Sequence, residues 1–165
     1  MSISPIVGSA FIRLDYLQSG FVIGNTDEDA SVPYMEKEIE LLGSMSEELE
    51  AGAQVFAGMP TSEAQRMARL GAYLAACCRT ARNVKRGAVA EIGKDAEGIL
   101  AAARDEYANA RAALELVEAD SHLGWEPMMD YVGGPRQIRW KLELMERIYG
   151  RERLVSCAPD GDPKE

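Results

Sequence analysis

The chain has 165 residues, 47% of them hydrophobic and 27% charged, which suits a single folded domain with a substantial core. Its formal charge of -9 argues against nucleic acid as a partner, because phosphate binding calls for a basic footprint. Its longest uncharged apolar run, Leu70 to Cys78, falls well short of the roughly 20 residues that cross a membrane.

The N-terminus, MSISPIVGSAF, has neither a basic start nor a long apolar run, so no secretory signal is expected. Residues 1–31 read as an irregular N-terminal segment. Within it, SAFIRLDYLQSGFVIG suits either a short helix closed near Gly20 or two brief strands, and NTDEDA suits a solvated linker. From Val32, Met35, Ile39, Leu42, Leu49, Ala53 and Phe56 recur at spacings of three, four or seven, which predicts an amphipathic helix ending near Gly58. Ser62 with Gln65 has capping-box spacing and is expected to open a second helix. Its buried stripe is expected at Met67, Leu70, Leu74, Cys78, Ala81, Val84 and Ala88, and its small-sided run from Ala68 to Ala76 would admit a close neighbour.

A turn is expected near Gly93 to Asp95. The third helix then buries Ile99, Ala103, Tyr107, Ala110, Leu114 and Val117. A fourth and shorter one follows the Gly133-Gly134-Pro135 corner, with Pro135 in its first turn, where a missing N–H matters little. Its face is Ile138, Leu142, Met145 and Tyr149, and it ends by Gly150. The expected fold is therefore all-α: an antiparallel up-down bundle of three long helices plus a shorter fourth over residues 32–150, then a disordered tail over 151–165. Charge follows the same plan. The first helix is rich in glutamate, the second carries Arg66, Arg69, Arg79, Arg82, Lys85 and Arg86, and adjacent helices of opposite charge attract. The Arg79-Arg82-Arg86 ridge is also a candidate for an anionic ligand.

Cys77, Cys78 and Cys157 are odd in number and two are adjacent, which points to a reducing, cytoplasmic setting rather than a disulfide framework. The pair reads as small apolar filler, with a redox or soft-metal site as the alternative. Asp120, His122, Glu126 and Asp130 are close in sequence, but no HExxH or calcium-loop spacing supports a metal, and no cofactor is expected. Asp120 and Ser121 more simply terminate the third helix. Ser121 beside His122 lacks a nucleophile context, so no catalytic residue is assigned, although Asp120, His122 and Glu126 define a minimal enzyme alternative. Trp125, Trp140, Tyr131 and Tyr107 suit a core or interface plug, or an aromatic platform for a sugar. Arg79, Asn83, Glu106 and Asn109 suit a buried polar network joining the second and third helices.

Two stretches, CCRTARNVKR (Cys77 to Arg86) and VEADSHLGWEPMMDYVGG (Val117 to Gly134), resemble the helical C-terminal region of large bacterial glycoside-hydrolase-like proteins. In those proteins a (β/α)8 barrel of the hexosaminidase or glucuronidase type precedes the helices. The resemblance covers roughly residues 34–150. It departs at His122, Met128 and Gly87, where the family pattern has arginine, serine and a bulky aromatic. A barrel takes about 250 residues, so this chain has no room for one.

The resemblance implies a non-catalytic accessory domain, or a truncated gene product, in which Asp120, Trp125 and Glu126 line or brace a substrate cleft. Arg79, Asn83, Asp120, His122, Trp125 and Glu126 are thus the candidate ligand-binding residues. The implied partners are a (β/α)8-barrel domain or protein, or carbohydrate. The alternative is a stand-alone helical-bundle interaction module or homo-oligomer.

Overall fold

A computed structural model describes residues 28–126, 130–131 and 134–155, with the side chains of 28–31, 125–126 and 130–131 outside the description. The helix-or-strand alternatives for the N-terminal segment, the departure at Met128 and the tail beyond 155 lie outside the described residues. The fold is all-α. Helix α1 spans Glu28–Ala57, α2 Ser62–Ile92, α3 Ala96–Ala119, α4 Pro135–Tyr149 and α5 Arg151–Val155. Between α3 and α4, strands β1 (Trp125–Glu126) and β2 (Asp130–Tyr131) pair antiparallel, with Trp125 opposite Tyr131. No helix among the described residues is long and apolar enough to cross a membrane.

Two boundaries correct the sequence reading. Helix α1 starts at Glu28 rather than Val32, so Pro33 lies inside it. At the other end, Arg151–Val155 is a short helix rather than tail, because Leu154 packs with Ala103, Tyr107 and Met145. Gly150, at φ +81°, makes the bend that folds it back.

The helix ends show how the chain turns. Thr61, not Ser62, caps α2, its hydroxyl accepting from the Ala64 N–H at 3.2 Å. Gln65 turns back instead and donates to the carbonyls of Ala57 and Met59, satisfying the end of α1. The turn at Gly93 to Asp95 is as expected, with Asp95 accepting from the Gly98 N–H at 3.0 Å.

Short connections leave successive long helices antiparallel. Glu38, early in α1, meets Lys85 late in α2, while Ala53, late in α1, meets Gly71 early in α2. At Gly71 a Cβ would lie 3.1 Å from the Ala53 Cβ, so the small side chains set how closely α1 and α2 approach. The main core lies on the opposite side of α2. There Tyr73 and Ala76 pack with Ala110, Ala113 and Val117 of α3, Leu123 of the connection and Ile138 of α4. Helix α1 contributes to neither this cluster nor the one around Met145.

That asymmetry corrects the first half of the expected stripe of α2, although Ala88 is buried as expected. Met67, Leu70 and Leu74 are 43%, 38% and 42% exposed, whereas Ala64, Ala68, Ala75, Ala76, Thr80 and Asn83 are buried. Helix α2 is flanked by α1 and α3, and alanines let both neighbours come close. The larger residues fall on a side that no described element covers.

Candidate functional site

Three places in the bundle carry the chemistry singled out by the sequence. The first is a buried polar chain centred on Glu106 of α3. Its Oε1 accepts from the Thr80 hydroxyl at 2.9 Å and from Lys141 Nζ of α4, and its Oε2 accepts from Asn83 Nδ2 at 3.1 Å. Asn109, one turn along α3, donates to the Ala76 carbonyl and to Thr80 Oγ1, both at 2.9 Å. Its Oδ1 accepts from Arg79 Nε at 2.9 Å, and Arg79 reaches Glu50 of α1 at 2.9 Å. The chain Glu50–Arg79–Asn109–Thr80–Glu106–Lys141 therefore links α1, α2, α3 and α4.

Lys141 is fully buried, and desolvation pulls its ammonium below the ordinary lysine range despite the opposing pull of Glu106. The network expected between α2 and α3 is present, with Arg79 and Asn83 committed to it. Lys141 and Thr80 are the members the sequence reading missed. Lys141 sits three residues after Ile138 and four before Met145, so helical spacing alone places it on the buried face.

The second place is the end of α3. Asp120 caps that helix, and its Oδ1 accepts from the His122 N–H at 3.0 Å, which is the terminating role expected of it. The His122 ring Nδ1 lies 3.0 Å from the same oxygen, with the imidazole largely in solvent. Arg69 Nε lies 3.6 Å from Asp120 Oδ2. The His122 backbone N–H, then its ring, and then Arg69 hold the Asp120 carboxyl below its usual range.

Trp125 and Glu126 follow in strand β1, but their side chains, like those of Asp130 and Tyr131, lie outside the description. Of the described candidates, Arg79 and Asn83 lie in the buried network and Asp120 and His122 at the end of α3. Asp120 meets Arg69, which is ten residues and about 15 Å along α2 from Arg79. Among the described residues no group of three or more His, Cys, Asp or Glu side chains could hold a metal ion.

Two members of the arginine ridge, Arg79 and Arg86, are directed to neighbours within the fold, whereas the buried Arg82 Nε has no hydrogen-bond partner among the described residues. Arg79 meets Glu50, Arg86 meets Asp105 and Asn83, and Lys85 meets Glu38 at 2.7 Å. These are the expected attractions of α2 to its acidic neighbours. Cys77 is half-buried against the main core, and burial pushes its thiol up to about 12. Tyr107 is buried and its hydroxyl donates to Glu146, whereas Trp140 is more than half exposed.

The third place is an open groove of about 510 Å³ between α1 and α2. Met45, Leu49 and Phe56 line it from α1, and Met67, Leu70 and Leu74 from α2. Glu48 stands at its edge, and a Cβ at Gly52 in its lining would meet no atom within 4 Å. Exposed Tyr34 and Leu41 extend the apolar stripe along α1. Sequence periodicity found Leu49 and Phe56 of α1 and Met67, Leu70 and Leu74 of α2, assigning the last three to the interior, but not Tyr34, Leu41 or Met45. No family model, curated protein or solved structure matches this chain.

Proposed function

We propose that this chain is a non-catalytic helical interaction module whose α1–α2 face receives a protein partner. The groove between those helices carries the reading. Contiguous exposed apolar residues framed by charge are the usual mark of a docking surface, and two antiparallel helices make the cradle for a third. The polar groups suited to chemistry support the same reading, because they are engaged with one another. Glu106 accepts from three donors within the fold and Cys77 is held as a poorly reactive thiol. Free Cys77 and Cys78 support a reducing, cytoplasmic setting.

A photo-crosslinking residue at Leu70, in cells that make the protein, tests the reading. A discrete adduct is expected there and not from a control probe at exposed Arg111. Absence of any adduct from Leu70 overturns it.

The second reading is the accessory domain of a carbohydrate-active enzyme. Its favouring observation is the ordered corner at Asp120, where His122 and Arg69 converge on one carboxylate within the segment that carries the family resemblance. Calorimetry with amino sugars and uronic acids tests it. Heat that is lost in Asp120→Ala would support it, and a flat response from folded protein would remove it.

A further inference from the structure

The groove takes up one end of the α1–α2 face, and two large side chains stand out from the other end. Tyr34 and Leu41 are 61% and 60% exposed, more than any apolar side chain that lines the groove. Tyr34, Leu41, Met45, Gly52 and Phe56 follow at steps of seven and four, so they form one line along α1. Resting on the docking reading above, we infer that the partner of this face is a second copy of the chain. The two are related by an antiparallel twofold axis, and Tyr34 and Leu41 of each copy enter the groove of the other.

Each copy brings both the projection and the recess, as an isologous contact requires. The axis crosses α1 between Met45 and Glu48 and sets each Leu41 against Gly52, whose missing side chain leaves room for it. Helices α1 and α2 of both copies then close around one apolar seam. Helix α1, which joins neither core cluster, gains a second buried side. The area suits a dimer. At about 200 Å² for a whole large side chain, Tyr34, Leu41 and the apolar lining leave on the order of 600 Å² exposed per copy. A standard interface takes about 800 Å² from each partner, a little over half of it apolar. Charge does not forbid it, because helical spacing turns Glu36, Glu40 and Glu47 to the far side of α1. Glu48 is the charged member of the lining, and the axis brings its two copies near each other. The segment before α1 is a poorer occupant. Between Gly8 and Gly20 there is room for a helix of about 16 Å, against about 33 Å from Tyr34 to Phe56. Laid in as extended chain, it would bury backbone N–H and C=O groups that two helices cannot pair.

Sedimentation of the full chain from about 1 to about 100 µM should show a species of twice 18.0 kDa that grows with concentration. Because both copies carry -9, association should strengthen as NaCl rises from about 0.05 to about 0.5 M. Glu48→Gln should tighten the dimer, since it removes the like charges beside the axis. Leu41→Glu and Gly52→Trp, both at exposed positions, should each weaken it by about tenfold or more and keep the circular dichroism of the parent. Mixed together, those two variants should recover association, because the mixed dimer holds one site in which an intact Leu41 meets an intact groove.

A monomer at every concentration overturns the dimer. Dissociation by added salt, or no recovery in the mixture, overturns this arrangement of it. The photo-crosslinker at Leu70 separates this inference from the docking reading. A monomeric chain with Leu70 adducts to other proteins leaves the docking face standing without the dimer. A monomeric chain with no adduct, or with adducts to its own residues 1–27 alone, removes both.

Discussion

Lys141 Nζ donates to Glu106 Oε1 where neither side chain has appreciable contact with solvent. The pair pins α4 to α3 at one register, since Glu106 is also fixed by Thr80 and Asn83 of α2. A buried ion pair adds little net stability over a well-packed apolar pair, yet removing one partner leaves an uncompensated charge. Lys141→Met is therefore expected to destabilise the fold by about 3–5 kcal/mol. Glu106→Gln is expected to be comparably damaging, because Lys141 then loses the carboxylate that holds its charge and must stay in a dry site unpaired or give up its proton. The double variant should lose markedly less than the sum of the singles, and urea titrations of all four proteins give that coupling. Strict additivity would show that the two side chains do not act as a pair.

Asp120 makes acid stability sensitive to one carboxyl. Its folded-state value is depressed below the ordinary 3.8, first by the His122 N–H, then by the His122 ring. A depressed carboxyl contributes stability that is present above the unfolded value and lost as pH falls through the folded one. Unfolding free energy should thus decline as the pH drops below about 3.8. Asp120→Asn keeps an oxygen for the His122 N–H but loses the charge, so its profile should be flatter over that range. Urea midpoints between about pH 5 and about pH 2 make the comparison. Parallel slopes in the two proteins would sink the assignment.

How much of this was legible depended on whether spacing alone settles a contact. Ile138, Leu142, Met145 and Tyr149 marked the face of α4, and Ile138 and Met145 are indeed buried. Lys141 lies in the same stripe, but its charge argued for the surface, because nothing local shows that Glu106 waits on another helix. The network of Arg79, Asn83, Glu106 and Asn109 was legible because uncharged amides beside an apolar face need partners.

The face of α2 was misread for the converse reason. Periodicity identifies Met67, Leu70 and Leu74 as one apolar stripe but not whether a neighbour covers it. The alanines of α2 gave weaker hydrophobic signals, yet they are what lets α1 and α3 pack closely. Adjacent Thr61 and Ser62 are both competent caps. The choice between them follows from the turn, in which Gln65 is drawn to Ala57 and Met59.

The adjacent thiols should react at different rates. Burial raises Cys77 from an ordinary 9.0 to about 12, whereas Cys78 is raised mainly by burial and drawn down by Arg79. Because the thiolate is the reactive species, a disulfide reagent near pH 8 should label Cys78 well before Cys77 in the native chain. Unfolding should erase the difference, which peptide mass spectrometry reads at each position. Equal native rates would mean that Cys77 is not held in the core. The sign for stability follows from the same shift. The unfolded thiol ionises above about 9 while the folded one stays protonated until about 12, so this contribution falls as pH rises between them.

Gly52 and Gly71 lie in the same groove, but their surroundings give them opposite expected responses to substitution. At Gly52 an added Cβ meets nothing within 4 Å, so Gly52→Ala gains helix propensity without a clash and should stabilise by about 0.5–1 kcal/mol. At Gly71 the same atom would lie 3.1 Å from the Ala53 Cβ and 3.4 Å from the Leu49 carbonyl oxygen. Leucine there must force α1 away from α2, and overpacking of this kind destabilises by about 1–3 kcal/mol. Gly71→Leu should also lengthen the reach of Arg79 to Glu50 and Lys85 to Glu38, so its urea transition should lose much of its sensitivity to salt. Urea titrations of the two variants beside the parent decide the matter. If Gly71→Leu is as well tolerated as Gly52→Ala, helices α1 and α2 do not meet at Ala53, and the groove they frame is not the one described.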